Sequence, residues 1–397
     1  MIGMAMAPSS GLTPELLSAV TASPSPESMP TPELLRELAQ RLAAQGIPYC
    51  QWKGHWSAHR WKTGLGDVDL LIDRGALADC RRLMGDLGFK LALPSGARQI
   101  PGVECYVGHD PGVPRLLQVR VYYRLMMGDY WKPVFRIPIE DAVVRSAVPG
   151  ELFQVPAPTH QYLIFLLRVM LRQLGRPLLS LQKRWRSGIQ PPLSSLAAAA
   201  DDQELAAFLR QHLPSIDFSL FQRCVRALQG QSSPVECAVL PWLLARKLRA
   251  HARPPSAAAV ASAAIETLLP EELAARLVQR RMHLSGGGTV VALVGGRGVG
   301  KSTCAREVAH WLRPVIPTMR AHLGNPPRAL LTWVTHGLLW AEQTVTAAFN
   351  RQPSPTGVLN LLRYVCTARD RHRLNLKAHR FAAAGGVAVC DHSPIRE

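Results

Sequence analysis

Apolar residues recur at Leu34, Leu35, Leu38 and Leu42, the three- and four-residue spacing of one helical face. Pro32 behind Thr31, Glu33 in the first turn and Gly46 beyond the run predict a helix capped by Thr31 and ended by Gly46. A short strand over 48–52 follows, then a Lys53-Gly54 turn and a helix over 55–62. Asp67-Val68-Asp69-Leu70-Leu71-Ile72 predicts a second strand, 76–87 a helix stopped by Gly88, and 89–93 and 116–125 further strands. Such alternation predicts an α/β or α+β unit over residues 31–175.

From 176 to 285 the pattern changes to alanine runs, scattered prolines and helical spacing around Phe208, Leu220, Leu228 and Leu243, which predicts a helical connector. Ser285-Gly286-Gly287-Gly288 reads as a flexible hinge. A second α/β unit with a parallel sheet is predicted over 286–397: a buried strand at 289–294, a helix at 304–312 and an apolar strand at 385–391. Residues 1–30, rich in Pro, Ser, Ala and Met without a period, read as a flexible tail.

Composition narrows the classes. With 397 residues, 47% hydrophobic and 19% charged, the chain is globular and long enough for more than one domain. The most apolar helical stretch, 162–171, is broken by Arg168 and is too short for a bilayer, so no membrane association is expected. The first residues lack the basic and apolar regions of a signal peptide, which makes the cytoplasm the expected location. The eight cysteines include no C-x-x-C pair and read as reduced, apolar fillers. A net charge of +18 favours anionic partners, although no motif points to nucleic acid.

The strand at 289–294 leads into Gly295-Gly296-Arg297-Gly298-Val299-Gly300-Lys301-Ser302-Thr303, with a helix behind it. This is G-x-x-x-x-G-K-[ST] in the strand–loop–helix setting of a P-loop. Glycines let backbone N–H groups converge on phosphate oxygens, and the helix start adds its positive dipole end. Lys301 would reach the β- and γ-phosphates of ATP and Ser302 would hold Mg²⁺. Asp391, closing the strand 385–391, is the expected partner carboxylate for the metal.

These residues, with Ala368-Arg369-Asp370-Arg371 and Gly385-Gly386 before the strand ending at Cys390-Asp391, resemble the thymidylate kinase family of P-loop nucleoside-monophosphate kinases. The resemblance covers residues 289–397. It implies transfer of the γ-phosphoryl of Mg-ATP to a nucleoside monophosphate or similar phosphorylated acceptor, with Arg371 contacting the acceptor and Asp391 serving the metal. Arg297 stands where the family carries an acid, Thr367 stands about where it carries an aromatic that stacks on the base, and Asp391-His392-Ser393 replaces Asp-Arg-Tyr. Six residues follow Asp391, so the resemblance implies an incomplete unit.

Asp67 and Asp69, two apart on a strand, share one face and suit Mg²⁺ bound against a triphosphate. Trp52-Lys53-Gly54 followed by Gly66-Asp67-Val68-Asp69-Leu70-Leu71-Ile72 is similar to the minimal nucleotidyltransferase fold of the DNA polymerase β superfamily, over residues 31–175. A third carboxylate normally comes from a later strand. Here the corresponding run, 117–125, carries Arg120 and Arg124 and no acid. His55 and His59 lie one helical turn apart, but without the H-E-x-x-H glutamate they read as ordinary histidines. The leading expectation is an ATP-dependent nucleotide kinase; the alternatives are nucleotidyl transfer at Asp67 and Asp69, or nucleotide binding without turnover. The sequence leaves the oligomeric state open.

Overall fold

The computed structural model describes residues 30–55, 58–94, 98–113, 115–129, 132–174, 190–268, 282–296, 298–324, 326–348 and 357–391. Nearly all of the expected tail, together with Arg297 and His392-Ser393, lies outside the described residues. The protein is mixed α/β, with parallel pairing in both of its larger sheets.

The first sheet uses β1 (Tyr49–Lys53), β2 (Asp67–Ile72), β3 (Lys90–Leu93), β4 (Val103–Gly108) and β5 (Leu117–Tyr122). A small antiparallel sheet follows from β6 (Met126–Met127), β7 (Val134–Arg136) and β8 (Ala252–Arg253). The chain then adds β9 (His283–Leu284) to the edge of the first sheet, giving the order β1-β2-β5-β4-β3-β9. Only the β2–β5 pair is parallel. Strand β4 was not expected from the sequence; it enters antiparallel between β5 and β3.

Period-two alternation divides this sheet into two faces. Val68, Leu70 and Ile72 of β2 pack with Leu35, Leu38 and Leu42 of the helix Glu33–Ala44 and with Leu83 of the helix Leu77–Asp86. Leu71 and Tyr122 enter a different core, built on the helix Pro158–Arg172. The helices between 190 and 247 share that same core through Leu205, Leu209, Phe221 and Leu244, so the expected connector packs on the N-terminal unit. Thr31 is not the cap of the first helix. The helix begins at Glu33 after Pro32, with no local side-chain cap, and the Leu34 N–H donates instead to Asp110 Oδ2 at 2.8 Å. Leu70 is fully buried. Leu70→Ala is expected to destabilise this unit by about 2–5 kcal/mol, read as a lowered denaturant midpoint.

The C-terminal sheet is wholly parallel: β10 (Thr289–Leu293), β11 (Thr318–His322) and β12 (Val387–Asp391), in the order β10-β12-β11. β12 is buried on both faces, as an apolar run in a parallel sheet should be. Val387 and Val389 meet Ala305 and Ala309 of the helix Lys301–Leu312, whereas Ala388 and Cys390 meet Ala378 of the helix Val358–Ala383. Ala92, Val107 and Leu116 of the N-terminal unit belong to the first of these clusters, so the two units share a core.

Candidate functional site

Two groups of residues carry chemistry. The first lies where the three parallel strands end, the edge at which α/β sheets receive ligands. β10 passes into the loop 295–300, where Gly298 and Gly300 have φ of 82° and 85°. Side chains are strained in that left-handed region, and glycine is not. The helix Lys301–Leu312 starts at once behind Gly300, with Ser302 and Thr303 exposed in its first turn. Lys301 Nζ donates to the Gly295 carbonyl at 2.8 Å and to that of Gly296. The lysine therefore lies folded over the loop whose N–H groups would meet an anion. Gly296 and Val299 are exposed.

Asp391, Leu293 and His322 are the last residues of their strands and stand side by side in register. Asp391 is buried, and its Oδ1 lies 2.5 Å from His322 Nδ1. Arg371 reaches the same edge, donating from Nη2 to the Gly324 carbonyl at 3.3 Å. Its neighbour Asp370 has a different task. Its Oδ2 accepts from the Ala329 N–H at 3.0 Å and from the Thr332 hydroxyl at 2.6 Å, tying the helix Val358–Ala383 to the start of the helix Leu330–Ala348.

Burial opposes ionisation of Asp370, but these two donors together with the charges of Arg369 and Arg373 outweigh it and hold its pKa below the ordinary carboxylate value. A folded-state pKa below the unfolded one gives stability that is present above the unfolded pKa, about 3.9, and is lost as pH falls through the folded value. The wild type is therefore expected to lose stability in that acid window, and Asp370→Asn to start less stable and lose less. Unfolding midpoints taken between pH 6 and 3 would show the difference.

The second group surrounds a cavity of about 480 Å³ between β1, β2, β5 and the helix Pro158–Arg172. Asp67 and Asp69 share the face of β2 that carries Leu71, as their spacing predicts. A register slip between Gln51 and Lys53 brings Lys53 opposite Asp69, with Nζ 3.1 Å from Asp69 Oδ1 and donating to the Tyr122 hydroxyl at 2.9 Å. Asp69 also faces Arg120 across the parallel β2–β5 ladder, and Arg120 Nη2 lies 2.5 Å from Asp67 Oδ2. Arg168 and Arg172 line the cavity from the helix.

Charge and burial act on one another here. Burial lowers the Lys53 pKa against the opposing pull of Asp69, and it lowers that of Arg168, with Arg172 adding repulsion. Burial raises the Asp67 pKa although Arg120 opposes it. Asp67 and Asp69 as placed do not fit a divalent ion: each already faces a cation, and Arg120 stands beside them where a third carboxylate would be needed. Among the described residues no cluster of three metal-ligating side chains occurs. His55 Nε2 lies 2.9 Å from Gln161 Oε1, while His59 is exposed. Trp52 and Trp61 are buried in the two cores and also border the cavity.

No family model matches the chain, and the searches of curated proteins and of solved structures found no match. Among the described residues no helix is long and apolar enough to cross a membrane. Sequence reasoning missed His322, Tyr122, Arg168 and Arg172 as site residues. The arginine pair did carry a signal: two cations at i and i+4 of a largely apolar helix repel each other on one face.

Proposed function

We propose that the C-terminal unit binds Mg-ATP at the loop 295–303 and transfers its γ-phosphoryl group to a nucleoside monophosphate or similar phosphorylated acceptor. One observation carries this reading: a glycine loop entering a helix at Lys301, with Asp391 in register beside the strand that feeds the loop. Gly295, Gly296, Gly298, Val299 and Gly300 supply the backbone cradle, and Lys301 steadies the β- and γ-phosphates. The exposed Ser302 hydroxyl and the Asp391 carboxylate are of the kinds that hold Mg²⁺, which neutralises charge on the phosphate oxygens when bound. Thr303 closes the first helical turn of the cradle. Arg371 would hold the acceptor's phosphate as a bidentate donor. Positioning and charge stabilisation supply the catalysis. The resemblance to thymidylate kinases supports this assignment.

The test is mass spectrometry of products after the chain is incubated with Mg-ATP and a mixture of nucleoside monophosphates. ADP with a new nucleoside diphosphate supports the proposal and names the acceptor. Pyrophosphate with an AMP-bearing product moves the chemistry to Asp67 and Asp69. Unchanged ATP overturns the kinase reading and leaves a binding protein.

A further inference from the structure

The N-terminal cavity holds an unusual set of charges for a site whose two carboxylates share a strand face. Lys53, Arg60, Arg120, Arg168 and Arg172 line it against Asp67, Asp69 and Asp129. Five basic groups meet three acidic ones, an excess of two positive charges inside a partly desolvated space. Two of the three acids are consumed within the wall: Asp69 by Lys53, and Asp67 by Arg120. Asp129 sits 3.9 Å from Arg172, at the looser edge of contact. Arg168 and Arg172 stand one helical turn apart, so they repel each other along the wall.

Concentrated positive charge in a cavity is unfavourable unless an anion shares it. A phosphate monoester carries about −1.5 to −2, which matches the excess, a diphosphate carries more, and guanidinium groups receive the oxygens of either as charged fork donors. The cavity volume of about 480 Å³ is that of a small-molecule site. Trp52 and Tyr122 are buried behind the charges, with ring centroids 5.0 Å apart. They brace Lys53, whose Nζ lies 4.8 and 4.9 Å from the two rings, and offer no open stacking face.

We propose that this cavity is a metal-independent binding site for a small phosphate- or diphosphate-bearing molecule, with Arg168 and Arg172 as its primary contacts and Asp67 and Asp69 neutralising part of the positive charge of Arg120 and Lys53. The carboxylates act on the basic residues, and no divalent ion bridges them to the ligand. The site is separate from the P-loop and stands whether or not the C-terminal unit transfers phosphate.

Calorimetric titration of the full chain with inorganic pyrophosphate in EDTA tests it, carried out in a Lys301→Ala background so that the P-loop contributes little. Binding is expected without metal. Arg172→Gln should weaken it at least about tenfold, the usual scale for losing a charge-assisted contact. Arg172 is half exposed, and an unchanged melting temperature would certify the fold; Arg60→Gln, at an exposed position of the helix Ala58–Lys62, is the second variant and should weaken binding in the same direction. Asp67→Asn is decisive because the sign differs between mechanisms: here it removes a repelling charge and should keep or tighten binding. Binding that appears only with Mg²⁺, that is abolished by Asp67→Asn, or that ignores both Arg172→Gln and Arg60→Gln overturns the proposal, as does no binding at millimolar pyrophosphate.

Discussion

Lys301→Ala is expected to lower phosphoryl transfer from Mg-ATP about a hundred- to a thousandfold, the scale found when one preorganised charged donor is removed from a transition state. The reason lies in where the ammonium sits. Its Nζ donates to the carbonyls of Gly295 and Gly296, directly over the loop, so it needs only to exchange these partners for phosphate oxygens. Alanine leaves the helix start and its N–H groups intact, because the side chain is partly exposed and packs in no core. Binding of ATP should therefore weaken together with turnover while the melting temperature stays close to wild type. Equilibrium binding of a fluorescent ATP analogue alongside the product assay separates the outcomes. An unchanged affinity would remove the P-loop from the account of this protein.

What the sequence disclosed and what it hid follow from the range of the interactions. The P-loop is written in consecutive residues, so strand, loop and helix are legible in the sequence, as is the shared face of Asp67 and Asp69. The surroundings of those acids were not. Lys53 reaches Asp69 only because β1 slips register after Gln51, and Arg120 reaches Asp67 only because β2 and β5 pair in parallel across fifty residues of chain. Arg168 lies about a hundred residues away, where the local pattern marks only a break in an apolar run. The same limit explains the missing cap: Thr31 has the right local chemistry, but the carboxylate of Asp110 does the work from another loop. Local signals give elements; cross-strand registers give electrostatics.

Gly288→Ala gives the second large effect, expected to destabilise the C-terminal unit by about 3 kcal/mol or more, the upper end for an overpacked site. Its composition, next to Gly286 and Gly287, suggests a slack hinge between two units. The structure places it in a crossing of two backbones: a Cβ there would lie 1.7 Å from the Gly386 carbonyl oxygen and 2.6 Å from its carbon. No side-chain rotamer can relieve that contact, since both nearest atoms are main chain. Gly386 has no room to retreat either, as a Cβ on it would meet the Phe381 ring at 2.4 Å. The crossing is fastened on both sides, by Gly288 N–H to the Ala382 carbonyl at 2.7 Å, Leu284 N–H to that of Gly385 at 3.0 Å and Ser285 N–H to that of Leu91 at 2.9 Å. These bonds carry the chain from the edge of the first sheet into β10, and β10 sets Leu293 beside Asp391. Gly286→Ala is the control, because a Cβ there meets nothing within 4 Å and the backbone is not left-handed. A slack hinge tolerates both substitutions; a fastened crossing tolerates only Gly286→Ala, and Gly288→Ala then lowers the denaturant midpoint and ATP binding together.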